Sequence, residues 1–330
     1  MNEPPNEFKQ ADRAASESEP EPIISLQQVS KRFDDTVAVD QVDLDVFPGD
    51  IYGFIGPNGA GKTTTLKLVA TLLTPDSGRI VVGGNSTATR PRAVRRTIGY
   101  MPDFLGVYHG LTTTEYLDFF GATYRIPPNQ RRRLISDLLA LTDLTEKRGT
   151  LVTSLSRGMQ QRLGLARALI HDPEVLLLDE PASGLDPRAR VEIRELLKEL
   201  SNMGKTILIS SHILADLEEL SNRIGIIERG TLLYSGEIEA ALKQLRQSAL
   251  IEVRVAESAS EALKVLDAAP EIETAEVQNG SLLVQLKEHV ENEGVIASRL
   301  VASRFSVTYL ARQSVRLEDA FLSITEGKVQ

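Results

Sequence analysis

One stretch limits what this chain can fold into more than any other: the run Gly56-Pro57-Asn58-Gly59-Ala60-Gly61-Lys62-Thr63-Thr64. An apolar segment at 51–55 precedes it, and apolar positions recur at helical spacing after it. This is the G-x-x-x-x-G-K-[ST] pattern in the strand–loop–helix context that the pattern requires. An ordinary glycine-rich turn between a strand and a helix is the alternative, and the complete pattern with its flanks argues against it.

The chemistry of a phosphate site explains this choice of residues. Glycines allow successive backbone N–H groups to turn inward around a polyphosphate, and the N-terminus of the following helix adds its dipole. Lys62 can reach the β- and γ-phosphates, and the Thr63 hydroxyl can ligate Mg²⁺. The stretch therefore predicts a site for a nucleoside triphosphate.

Two carboxylates, Asp179 and Glu180, end the apolar run at 175–178. Parallel strands place their carboxyl ends at one edge of a sheet, so we expect the pair beside the phosphate loop. Asp179 would then hold Mg²⁺, directly or through water, and Glu180 would orient or deprotonate the attacking water. Alternatively, the pair is only a solvated strand end. His212 follows another apolar run and can reach a γ-phosphate there, although a lone histidine is as often structural.

Two further features allow two interpretations each. Phe33 lies in a polar stretch at 30–35 that we expect to be a loop, where the ring can stack on a purine or cap the sheet. Ser156 can cap the helix that follows it, with Gly158 permitting close backbone approach. The same helix start can instead present N–H groups to a phosphate from outside the domain. The residues alone leave these alternatives open.

Composition and spacing divide the chain into three parts. Residues 1–22 are rich in proline and glutamate, which predicts a disordered acidic leader. Residues 23–240 predict an α/β domain with alternating strands first, a mainly parallel sheet, and a helical subdomain at about 104–170. Within it, 95–103 predicts a short strand and a loop. Residues 248–330 follow the order strand–helix–strand–strand–helix–strand, with the second helix at 288–302, which predicts a small α+β domain of the split βαβ, ferredoxin-like kind.

Charge and hydropathy narrow the functional classes. The net charge of −9 disfavours a nucleic-acid binder, which usually presents a basic face. The chain has no cysteine, which excludes disulfides, thiol catalysis and cysteine-ligated metals. No stretch approaches the roughly 18 to 20 uninterrupted apolar residues of a membrane-spanning helix. We therefore expect any role at a membrane to come through a partner.

Taken together, the motifs over residues 23–236 resemble those of the ATP-binding subunits of ABC transporters. The run 56–64 is similar to the Walker A loop, and 175–180 is similar to Walker B with its catalytic glutamate. Residues 155–160, with Ser156 and Gly158, resemble the family signature, and 183–186, ending at Asp186, resembles the D-loop. His212 is similar to the switch histidine, and Phe33 stands where the family places its adenine-stacking aromatic.

One position departs from the family pattern. The loop after residues 100–102 normally offers glutamine, and this chain has Asp103. A shorter, charged side chain can hold Mg²⁺ through a water. The extra negative charge can also change the coupling to a transmembrane partner.

The resemblance implies a P-loop NTPase fold with an ABC-type antiparallel β subdomain, and ATP and Mg²⁺ as ligands. It also implies a head-to-tail homo- or heterodimer in which each ATP lies between one subunit's phosphate loop and the other's signature helix. The C-terminal residues 317–326 resemble the extension on ATPases of ABC-2-type exporters. We therefore expect a separately encoded ABC-2-type permease and a peripheral location on the cytoplasmic face of the membrane. The alternatives are a soluble ABC ATPase acting on nucleic acid or ribosomes, and a nucleotide sensor without transport.

Overall fold

A computed structural model describes residues 21–106, 110–242, 250–287, 290, 292–313 and 316–325. Nearly all of the predicted leader, and the stretch 243–249 between the predicted domains, lie outside these ranges. Within them the strands form three sheets: one antiparallel, one mainly parallel and one in the C-terminal part.

The antiparallel sheet holds the first strands of the chain. Its order is β2-β1-β4-β5, with β1 at Ile24–Phe33, β2 at Thr36–Val46, β4 at Ser77–Val82 and β5 at Asn85–Ser86. The predicted loop at 30–35 is wrong, because β1 continues through Phe33 and only residues 34 and 35 form the turn. Register shifts along the β1–β2 pair interrupt the alternation of side chains, and a sequence pattern of period two therefore does not detect this half of the strand.

The central sheet has six strands in the order β10-β9-β3-β8-β7-β6. The strands are β3 Ile51–Ile55, β6 Ile98–Met101, β7 Val175–Asp179, β8 Thr206–Ser211, β9 Arg223–Glu228 and β10 Thr231–Glu237. All neighbours are parallel except β10 and β9. Both faces are covered, since Tyr52 and Phe54 of β3 enter one core while Ile51 and Ile55 enter another. This explains the continuous apolar runs in the sequence.

Seven α-helices surround these sheets in the described part of 21–242, besides a helical segment at 238–242 and two 3-10 helices at Thr145–Lys147 and Val152–Ser154. They are α1 Lys62–Val69, α2 Pro91–Thr97, α3 Thr113–Thr123, α4 Pro128–Leu141, α5 Arg157–Leu169, α6 Pro187–Asn202 and α7 Leu214–Leu220. One prediction needs correction here, because residues 95–97 end α2 and the strand β6 begins only at Ile98. α2 is too short, and too rich in arginine, to show an apolar period.

The C-terminal part forms its own sheet and core. β11 Ile251–Val255, α8 Ala259–Asp267, β12 Ile272–Gln278, β13 Ser281–Leu286, α9 Gly294–Ala302 and β14 Val307–Arg312 follow in the predicted order. The sheet order β12-β13-β11-β14, antiparallel throughout, is the split βαβ arrangement. The second helix was predicted at 288–302, and residues 288, 289 and 291 of that prediction lie outside the described ranges. The helix begins at Gly294, where the Asn292 side chain accepts the Gly294 N–H and competes with helical bonding.

The last helix in the described ranges is α10, Leu317–Ile324, which packs on α7. None of the helices in the described ranges combines the length and the apolar character needed to cross a bilayer.

Candidate functional site

The phosphate loop joins the buried strand β3 to helix α1 at the carboxyl edge of the central sheet. Gly61, the residue before α1, has φ +109°, and a Cβ there would lie 2.4 Å from the carbonyl oxygen of Ala38. Only glycine fits this position, because a side chain would meet both steric and torsional strain. The loop encloses a cavity of about 230 Å³, and the residues that line it are Thr36, Ala38, Pro57, Asn58, Gly59, Ala60, Gly61, Lys62, Thr63, Thr64, Asp103 and Glu180.

Lys62 occupies the floor of this cavity and is nearly buried, with 6% of its surface exposed. Its Nζ donates to the carbonyl oxygens of Gly56 at 2.6 Å and Pro57 at 3.1 Å. Burial lowers the pKa of Lys62, while the Glu180 carboxylate, 3.6 Å away, and Asp179 oppose that shift. The loop therefore holds a cation close to where phosphate oxygens would lie.

Asp179, at the end of β7, is buried and connects the loop to the sheet. One of its oxygens, Oδ1, accepts hydrogen bonds from Thr63 Oγ1 at 3.0 Å and from Ser210 Oγ at 2.7 Å. Hydroxyl and carboxylate oxygens are the ligands that Mg²⁺ prefers, so these residues fit the ion. Within the described ranges no group of three or more acidic or histidine residues can hold a metal alone.

Glu180 is held in a strained position directly after β7. Its φ is +50°, a left-handed conformation that costs a non-glycine residue about 1–3 kcal/mol. Its N–H lies 3.1 Å from both the carbonyl oxygen and the hydroxyl of Ser210. On the side chain, Oε1 faces Lys62, and Oε2 accepts a hydrogen bond from His212 Nδ1 at 2.8 Å. The structure therefore brings Glu180 and His212, which were predicted separately, into contact beside the phosphate loop.

Ser210 is a site residue that the sequence analysis missed. Its hydroxyl connects Asp179 to the backbone of Glu180, and it is completely buried at the end of β8. The sequence contained a signal that could have revealed Ser210, because β7 and β8 were both predicted to end at the same edge of a parallel sheet. Polar residues just before His212 should therefore face those after β7.

The predicted residues Ser156 and Asp186 are the N-caps of α5 and α6. Gly158, in the first turn of α5, lies beside the start of α6, since a Cβ on it would be 3.7 Å from Ala189 Cβ and 3.8 Å from Leu185 Cδ2. Ser156 Oγ accepts the Met159 N–H at 3.4 Å, and Asp186 Oδ1 accepts the Ala189 N–H at 2.9 Å. The predicted cap at Ser156 is thus confirmed. None of these three is among the described residues that line the phosphate cavity. One chain therefore presents two separate surfaces, a phosphate loop and a pair of helix N-termini.

Phe33 and Asp103 lie at the rim of the cavity. Phe33 is 44% exposed at the end of β1, its ring centroid is 5.5 Å from Lys31 Nζ, and its cross-strand partner Thr36 lines the cavity. Asp103 lines the cavity itself, and its carboxylate lies 3.9 Å from the guanidinium of Arg157, next to Ser156. Asp103 therefore faces both surfaces of the chain.

Comparison with protein families and curated proteins gives one consistent result. The model of the ABC transporter family matches residues 39–183. The chain is 37% identical, over 92% of its length and 96% of the relative, to the Nod factor export ATP-binding protein I of Burkholderia pseudomallei strain 1710b. It is 39% identical to the protein of the same name from Sinorhizobium fredii, over 74% of this chain and 71% of that one.

Solved structures with the same fold are nucleotide-binding cassettes. An ATP-binding subunit of an ABC transporter aligns with a TM-score of 0.62 and 29% identity, covering 68% of this chain and 93% of that chain. A dimeric bacterial ABC transporter cassette aligns with a TM-score of 0.61 and 26% identity, covering 65% and 98%. A dimeric cassette in a post-hydrolysis state with ADP and Pi aligns with a TM-score of 0.60 and 26% identity over the same shares.

Proposed function

The chain belongs to the ATP-binding subunits of ABC transporters, and on this premise we propose that it hydrolyses ATP to drive an exporter. The observation that carries the proposal is the cluster of Lys62, Asp179, Glu180 and His212 around one phosphate loop. The relatives named as export ATP-binding proteins favour export over the alternative of action on nucleic acid or ribosomes.

The contacts suggest a role for each residue. Lys62 would bind the β- and γ-phosphates, and Thr63 and Asp179 would hold Mg²⁺, which neutralises phosphate charge when bound. Lys62 cannot serve the phosphates and Glu180 Oε1 equally, so arrival of ATP would weaken the Lys62–Glu180 contact. Glu180, still fixed by His212 and by its strained backbone, would then be free to orient water and accept its proton.

The second surface supports a head-to-tail dimer, as a homodimer or with a paralogue. The starts of α5 and α6 offer backbone N–H groups and helix dipoles, which suit a phosphate. They do not line the cavity of their own chain, so we assign them to the ATP of a second subunit. Phe33 would stack on the adenine, and Asp186 would contact the opposite phosphate loop.

We assign the membrane partner to the ABC-2 type, with this chain bound peripherally at the cytoplasmic face. Phe104, in the loop after Asp103, is 82% exposed, which suits an apolar contact with a permease. We assign the contact with the permease to the loop that runs from Asp103 to Tyr108, of which residues 107 and 108 lie outside the described ranges. Co-purification of a permease from membranes supports this assignment, whereas tight binding of the pure chain to bare lipid vesicles contradicts it.

The variant Glu180→Gln tests the catalytic assignment. The amide keeps the shape and the hydrogen bond to His212 but cannot accept a proton, so kcat should fall by about 10²- to 10⁴-fold while ATP still binds. A trapped ATP-bound dimer should accumulate. Glu195→Gln is the matched control, since Glu195 is an exposed carboxylate on α6 that pairs only with Lys198 among the described contacts. Turnover by Glu180→Gln at the control's rate removes Glu180 from the proposed role.

A further inference from the structure

The last described helix, α10, packs on the core of the ATPase part, and its residues Leu317 and Phe321 are not in the core of the ferredoxin-like sheet that precedes it. Leu317, at the start of α10, is completely buried in the core that contains Leu217 and Leu220 of α7. Phe321, one turn later and on the same helix face, packs half-buried against that core. The backbone N–H of Leu317 donates to Glu218 Oε2 at 3.1 Å, which places a carboxylate at the favourable N-terminal end of α10.

Helix α7 depends on its neighbours for its position. It has seven residues, fewer than an isolated helix needs, and no side chain caps its N-terminus. On the side facing α6, Arg194 lies 3.0 Å from Glu219 and 3.6 Å from Asp216. Yet Arg194 Nε and Asp216 Oδ2 are buried with no hydrogen-bond partner among the described residues. The ion pairs with α6 thus leave two buried polar atoms without a partner among the described residues, and the packing of α10 also contributes to fixing α7.

Helix α7 is also directly connected to the hydrolytic site. Only Ile213 separates its first residue, Leu214, from His212, and the Ile213 N–H donates to Ser211 Oγ at 2.9 Å. The His212 ring donates to Glu180 at 2.8 Å. Because one residue joins them, a shift or loosening of α7 displaces His212 relative to Glu180.

We propose that α10 is a positioning element for His212, and that the C-terminal domain controls ATP turnover through it. When α10 is docked on α7, His212 is held against Glu180. When α10 leaves, α7 loosens and hydrolysis slows. The sheet of the C-terminal domain ends at Arg312, four residues before α10, so a ligand or partner that moves this sheet pulls on the helix. The inference rests on the proposed roles of Glu180 and His212.

The test uses Leu317→Ala in the full chain, with Leu322→Ala as a matched control because Leu322 is on the same helix and 68% exposed. Loss of a fully buried leucine is enough to leave α10 mostly undocked, so kcat should fall roughly tenfold. The KM for ATP should stay within about twofold, because no residue of α10 is among the described residues that line the phosphate cavity. Amide hydrogen exchange should quicken in α7 and not in α1. The conservative variant Leu317→Met should keep kcat close to that of the natural chain, and so should the control Leu322→Ala.

Each other outcome overturns the proposal. Unchanged kcat together with faster exchange in α7 shows that α7 does not position His212. A rise in the KM for ATP together with faster exchange in α1 shows that α10 only stabilises the fold. If Leu317→Ala does not fold, Phe321→Ala, at the half-buried position, replaces it with the same criteria. The Glu180→Gln variant distinguishes a failure of the proposed catalytic role of Glu180 from a failure of the inference about α10. An active Glu180→Gln enzyme refutes the proposed catalytic role of Glu180, whereas an inactive one beside a fully active Leu317→Ala refutes only this inference.

Discussion

Removing the hydroxyl of Ser210 should cost more stability than removing that of Ser211, because only Ser210 donates to a buried carboxylate. Both residues end β8 and both are buried. Ser210 Oγ donates to Asp179 at 2.7 Å, whereas Ser211 Oγ accepts a neutral N–H from Ile213 at 2.9 Å. The pair is therefore an internal comparison of a charged and a neutral hydrogen bond at one strand end.

The magnitudes follow from the partners. A hydrogen bond to a charged group contributes about 1.5–3 kcal/mol net, and a neutral one about 0.5–1.5 kcal/mol. In Ser210→Ala the Glu180 N–H keeps the Ser210 carbonyl oxygen as acceptor, so the loss concerns mainly Asp179. We expect the free energy of unfolding to fall by about 2 kcal/mol in Ser210→Ala and by about 1 kcal/mol in Ser211→Ala.

Urea unfolding without nucleotide, followed by circular dichroism, measures both variants. Each should lower the midpoint with an unchanged denaturant slope, as expected when only stability changes. A Ser210→Ala variant that loses no more than Ser211→Ala refutes the assignment of a charge-assisted bond to Asp179. Activity gives a second readout, since Ser210→Ala should also lower kcat by loosening the Asp179–Glu180 pair.

Three further predictions concern single side chains. Burial lowers the pKa of His171, although its hydrogen bond to the Ile98 carbonyl opposes this shift. As pH falls below about 6.5 the unfolded chain therefore binds a proton before the folded chain does, which destabilises the fold. The Tm should drop as pH falls from about 7.5 to 5.5, and an equally steep drop in His171→Gln contradicts this. Phe33→Ala should raise the KM for ATP about tenfold while Phe33→Tyr does not, and an unchanged KM in Phe33→Ala favours the sheet-capping role instead. Asp103→Gln should alter the Mg²⁺ dependence of hydrolysis. It should lower the free energy of unfolding by less than about 1 kcal/mol, because the ion pair of Asp103 with Arg157 is half-exposed, and a larger fall refutes this reasoning.

The sequence predicted those parts of the site that depend on local pattern. The phosphate loop could be predicted because its glycines, Lys62 and Thr63 lie within one turn between a strand and a helix. Asp179 and Glu180 could be placed beside it because the end of an apolar strand fixes their edge of the sheet. The predicted order of strands and helices in the C-terminal domain was also confirmed, because the apolar residues of each element recur at the spacing typical of a strand or a helix.

What could not be predicted depends on contacts between distant segments. The strand extension through Phe33 is hidden by register shifts that only the partner strand reveals. The role of Ser210 follows only from the pairing of β7 with β8. The docking of Leu317 on α7 includes the Leu317–Glu218 hydrogen bond, whose two residues are 99 positions apart in the sequence. No pattern within a short window contains such information.

The most direct test of a site shared between two copies mixes two inactive variants. Lys62→Met removes the phosphate-loop cation, and Ser156→Asp keeps the helix cap while repelling a phosphate. In a mixed dimer one site combines an intact phosphate loop with an intact Ser156–Gly158 segment. We predict no hydrolysis from either variant alone and, if the sites act independently, recovery of about a quarter of natural activity from an equal mixture. A mixture as inactive as its components contradicts a site shared between two copies of this chain.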